Sequence, residues 1–82
     1  MSESSHLETL RFELEAKKQV LISENSIRDC YSNSYYDNLR EHGKDYIQTK
    51  ASYSVMMEYE DKHIPRTERM IEALEWAVAQ LS

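Results

Sequence analysis

Apolar positions recur at helical spacing in two blocks of this chain. Leu7, Leu10, Leu14 and Leu21 follow one another at intervals of three, four and seven, which places them on one narrow stripe of a helix. Phe12, Val20 and Ile22 lie off that stripe, so they widen the buried face or mark a second contact. Further on, Met57, Ile64, Ile71 and Val78 recur every seven residues, with Leu74 and Leu81 interleaved. That is the pattern of a coiled-coil seam. Between the blocks, Arg40 and His42 precede Gly43, with basic groups in a last turn and glycine just beyond it, as at a helix stop. Ser5 followed three residues later by Glu8 reads as a capping-box start for the first helix.

Two places invite a break. Ser26 with Asp29 could cap a new helix inside the first block, within the stretch that begins at Ser23. Against this, Glu24 and Arg28 form an acid-first pair four residues apart, as do Glu13 with Lys17 and Glu58 with Lys62. No glycine or proline interrupts residues 6–42, so a continuous or slightly bent helix is expected there. Pro65 is disruptive inside a helix and biases Ile64 away from one. A kink or break is therefore expected within two or three residues of it.

The expected fold is all-α: one small domain over residues 1–82, an antiparallel helical hairpin turning near Gly43, with candidate breaks at Ser23–Ser26 and at Pro65. A single glycine and a single proline support this, because sheets need turns and turns need such residues. The apolar residues Phe12, Val20, Tyr46, Met56 and Trp76 occupy more than one face. A homodimer or higher homo-oligomer in the form of a helical bundle would bury them.

Composition narrows the function. Fifteen acidic and ten basic side chains give a net charge of −5. This argues against direct binding to duplex nucleic acid, which calls for a basic stripe. Cys30 is the lone cysteine, so no intrachain disulfide forms, and it is expected as a small buried hydrophobe. No secretory leader or membrane span is recognised, and a cytoplasmic, reduced setting is expected. No glycine loop, nucleophile elbow or histidine cluster appears, so neither enzyme activity nor a cofactor is expected.

The most informative stretch runs from Asp29 to Asn38 and is rich in tyrosine, serine and asparagine. Tyr31 and Tyr35 share a helix face, as do Tyr46 and Tyr53, while Tyr36 and Tyr59 fall elsewhere. The rings either pack between the arms with their hydroxyls at the edge or present stiff contact area to a partner. On the second reading Tyr31, Asn33, Tyr35, Tyr36 and Asn38 bind another protein, joined by the acidic cluster Glu58, Glu60 and Asp61. The protein would then be a small acidic inhibitor or adaptor, of the kind phages and mobile elements use, covering a basic surface of a nucleic-acid-handling partner. An alternative is a nucleotide-binding oligomer, with Tyr35 stacked on the base and Arg28, Arg40 or Lys44 near its phosphate. A further alternative is a ferritin-like metal site, in which a dimer doubles Glu24, Glu60 and His63, the last two being a Glu-x-x-His pair. Trp76 is expected in the core of the last helix.

Overall fold

A computed structural model of the protein describes residues 2–82, with side chains from Ser5 onward. Helix α1 runs unbroken over Ser2–His42. At about 1.5 Å per residue its length accounts for the long dimension of the molecule, 61 Å against 15 and 14 Å across. The chain does not break at Ser23–Ser26. Ser5 does not cap the helix either, because α1 already includes Ser2, and the Ser5 carbonyl accepts a hydrogen bond from Thr9 Oγ1 at 2.9 Å. Gly43 ends α1 with φ +86° and donates its N–H to the Leu39 carbonyl at 3.0 Å. This is the left-handed helix stop that glycine adopts at little cost. The return arm comprises α2 (Ile47–Glu58), a π-helical turn (Tyr59–His63) and α3 (Ile64–Leu81). Both α2 and α3 pack along α1.

The seam between the arms changes character along its length. Near the turn it is made of small polar groups. Ser34 Oγ and Ser52 Oγ share a hydrogen bond of 3.1 Å across the arms, and Asn38 Nδ2 donates to the Ser34 carbonyl at 2.9 Å. Short side chains let the two backbones approach, and their hydrogen bonds to each other offset the cost of burial. This is why a stretch of low helix propensity around Ser34 persists inside a long helix. Away from the turn the seam is apolar. Leu7, Leu10, Leu14 and Leu21 are half-buried on the α1 side, facing an arm that buries Ile64 and Ile71.

One buried group in the polar half has no partner. Thr49 is 1 % exposed and its Oγ1 makes no hydrogen bond. Thr49→Val keeps the branched shape and removes the orphan hydroxyl, so it should raise stability by about 1 kcal/mol. Ser52→Ala, which takes a partner from Ser34, should lower stability by about the same amount. Urea unfolding of the two variants measures both.

The π turn has a cause in register. Extended by sevens, Thr49 and Ser52 predict seam positions at residues 56, 59, 63, 66 and 70. Met56 and Tyr59 are indeed half-buried, but the buried residues of α3 are Ile64, Thr67 and Ile71, each one position late. A turn closed by i→i+5 bonding absorbs one extra residue, and the Ile64 N–H bonds to the Tyr59 carbonyl in this way. The wide turn also lies directly before Pro65, whose ring and missing N–H disturb a regular helix. The irregularity expected near Pro65 is therefore a wide turn over Tyr59–His63, and helix continues on both sides of it. The heptad of Met57, Ile64, Ile71 and Val78 forms the seam only from Ile64 onward, because upstream the seam passes through Met56.

Other expectations are corrected by the packing. Trp76 is 67 % exposed and Cys30 is exposed, because each points away from the seam that its own helix buries. Arg28 does not pair with Glu24. It reaches across the arms to Glu60 at 3.0 Å and to its neighbour Asp29 at 3.1 Å. Among the described residues, the pairs expected between Glu13 and Lys17 and between Glu58 and Lys62 are not formed either; Glu58 lies 3.5 Å from His63 Nε2.

Candidate functional site

Seam positions on α1 recur as Leu21, Arg28 and Tyr35, and on α3 as Ile64, Ile71 and Val78. In an antiparallel pair, the positions just after the seam on both arms fall on one broad face. That face carries Ile22, Asp29 and Tyr36 from α1, with Lys50, Pro65 and Glu72 from the return arm. Clefts along it join the two arms. One is lined by Leu21, Pro65, Glu68 and Glu72, and another by Arg28, Asp29, Met57 and Glu60.

Toward the turn this face becomes aromatic. The Tyr35 ring lies 5.2 Å from Tyr53 across the arms and meets Tyr36 edge-on at 5.0 Å. Tyr35 is half-buried, whereas Tyr36 is 57 % exposed and Tyr53 is exposed too. The inner ring thus braces two outer ones, which limits their rotamers. Of these rings Tyr35 packs between the arms, whereas Tyr36 and Tyr53 lie at the surface. Tyr31 is exposed on the opposite edge of α1, outside this cluster. Tyr46 stacks on His42 at 4.2 Å at the turn.

The remaining residues singled out from the sequence are dispersed. Asn33 is exposed on the back of α1, and Asn38 is engaged with Ser34 in the seam. In the acidic cluster Glu60 holds Arg28 and Glu58 faces His63, while Asp61 makes no ion pair among the described residues. The hydrogen bond that Arg28 donates to Glu60 is the largest influence on its pKa and raises it further, with Asp29 adding to this.

For a nucleotide, Tyr35 and Lys44 do meet in one cleft, together with Thr49, Lys50, Tyr53 and Ser54. This cleft lies beside the first turn of α2, which has no side-chain cap and no acidic residue. Lys50 was not anticipated, although its place one turn into α2 could have suggested it. Arg28 and Arg40 are elsewhere, held by Glu60 and by Asp37. For a metal, Glu60 is engaged by Arg28, and His63 packs on Tyr59 with ring centroids 4.7 Å apart. Among the described residues no three His, Cys, Asp or Glu side chains gather as a metal site would require. None of the described helices is long and apolar enough to cross a membrane. Comparison with protein-family models, curated proteins and solved structures finds no match for this chain.

Proposed function

We propose that this chain is a non-catalytic protein-binding module whose working surface is the face of Tyr36, Tyr53 and Met57. The observation that carries this reading is the pair of exposed rings braced by Tyr35 across the arms. Aromatic side chains held in place give large contact area at low entropic cost, and methionine beside them adapts to the partner's contour. Asp29, Glu60 and Asp61 rim the surface, and the net charge is −5, so a basic partner is favoured by complementarity and steering. An inhibitor or adaptor that covers a basic, nucleic-acid-handling surface, as phage and mobile-element proteins do, is the specific form of this proposal.

The test is a comparison of the proteins retained by immobilised wild-type chain and by a Tyr36→Ala, Tyr53→Ala variant of equal helicity. A retained protein lost by the variant, and released from wild type by moderate salt, is the expected result. Identical retention by both would overturn the reading.

A second reading draws on the cleft of Tyr35, Lys44, Lys50 and Tyr53. Two lysines beside an uncapped helix start suit an anion, and the rings suit a base. A nucleotide would then raise the melting temperature, and inorganic phosphate alone would do so less. Absence of any shift with ATP, ADP or phosphate would remove this reading.

A further inference from the structure

The opposite broad face has the composition of a second seam. On α1, Ala16, Val20, Ser23, Ile27 and Cys30 follow at intervals of four, three, four and three, and all are exposed. Extended at the same spacing, the stripe starts at Glu13 and stops short of Ser34, which turns into the seam to bond Ser52. Val20 and Ile27 lie one position before the seam residues Leu21 and Arg28. On α3, Met70 and Ala77 lie one position before Ile71 and Val78, with Ala73 between them. In an antiparallel hairpin these two stripes therefore lie side by side, facing away from the tyrosines. Phe12, four residues before Ala16, and Trp76, three after Ala73, extend the surface at its outer rims, and both are exposed.

We propose that this face binds a second copy of the chain, so that two hairpins stack into a four-helix bundle. The inference does not rest on the role given to the tyrosine face. Its extent admits a dimer: the whole face, 61 by 15 Å, is on the order of 900 Å², against roughly 800 Å² per partner in a stable interface. The apolar stripe from Phe12 to Cys30, about 27 Å long, forms its centre, with polar ends as a rim. Its texture is self-complementary. Small residues (Ala16, Ser23, Cys30, Ala73) alternate with larger ones (Val20, Ile27, Met70), as knobs and holes require, and a two-fold contact sets each against the other. The hairpin also needs what a second copy supplies. Among the described residues it buries only two apolar side chains, Ile64 and Ile71, which is a small core for a chain of this size. Finally, Glu24, between the seam and this stripe, has a buried Oε1 with no hydrogen-bond partner. A neighbouring copy brings hydroxyl donors such as Ser23 to that edge.

Two measurements test the proposal. Sedimentation equilibrium should give a dimer for wild type, with Val20→Asp, Ile27→Asp raising the dissociation constant at least about 100-fold and Ile22→Asp, on the other face, leaving it unchanged. The second needs no variant. Cys30 is exposed in the single hairpin, so its alkylation should slow at least about tenfold as concentration rises through the dimerisation range. A chain that sediments at 9.7 kDa at all concentrations would overturn the proposal. So would a dimer in which Cys30 reacts as fast as in the monomer, even if the Val20 and Ile27 variant fails to fold.

Discussion

Ile71→Ala should unfold most of the protein at a temperature where wild type is fully helical. Ile64 and Ile71 are the only buried apolar side chains among the described residues; the rest of the apolar seam is half-buried leucine, valine and methionine. Truncating a buried isoleucine to alanine costs about 2–5 kcal/mol, which includes the cavity left behind. Folded domains as a class have only about 5–15 kcal/mol of stability, and small ones lie at the low end. A change of this size should lower the melting temperature by more than about 10 °C. Ile22→Ala is the matched control. It removes the same atoms from the same residue type at an exposed position, and should stay within about 0.5 kcal/mol of wild type. Circular dichroism melts at one fixed concentration measure both. Equal losses at Ile71 and Ile22 would mean that the seam does not carry the fold.

Inserting one alanine after Glu68 should be as damaging as Ile71→Ala, while removing a residue from the wide turn should not. The insertion turns Ile71, Leu74 and Val78 by about 100° away from α1. Full burial of an aliphatic side chain is worth about 1.5–3 kcal/mol, so losing one buried and two half-buried contacts costs roughly 3–6 kcal/mol. The chain can avoid this only by forming a second wide turn. Deleting Lys62, an exposed residue of the π turn, has the opposite consequence. The seam from Thr49, Ser52 and Met56 then runs in phase into Ile64, Thr67 and Ile71 with ordinary α geometry. Pro65 would now stand inside a regular helix, at a cost of about 3 kcal/mol, so the deletion should be combined with Pro65→Ala. That double change should leave stability at or above wild type. Pro65→Ala alone should retain the wide turn, because register as well as proline requires it. Amide hydrogen-bond patterns by NMR distinguish i→i+5 from i→i+4 closure in each variant. A regular helix in Pro65→Ala with the seam intact would refute the register account.

The tyrosine surface was partly legible. Residue type and spacing paired Tyr31 with Tyr35 near the turn and set Tyr36 on another face, and the turn itself was marked by Gly43; the contact of Tyr35 with Tyr36 came only from the structure. That Tyr53 completes the cluster, and that Tyr31 is outside it, depends on which side of α1 each arm contacts. Asn38 shows the same limit from the other direction. Its composition suggested a recognition surface, but it lies in the seam, donating to Ser34. An amide has the same local signature whether it faces a partner protein or a neighbouring helix of its own chain.

Local sequence determined that this chain is helical and where it turns. Scarce glycine and proline leave backbone hydrogen bonding to helices, the leucine stripe gives α1 a face to bury, and Gly43 supplies the left-handed residue that ends it. Each arm, however, carries two apolar stripes, offset by one position. Periodicity alone does not say which stripe is buried within the chain, because both have the spacing of a seam. Packing made that choice. With α2 packed against Ser34 and Tyr35, α3 lies one residue out of phase, and the wide turn at Tyr59–His63 absorbs the difference. The exposure of Trp76 and Cys30, the cross-arm bond of Arg28 to Glu60 and the pairing of Tyr35 with Tyr53 all follow from that register. It is a property of two helices in contact, set by the sum of burial along their shared length, and neither helix encodes it alone.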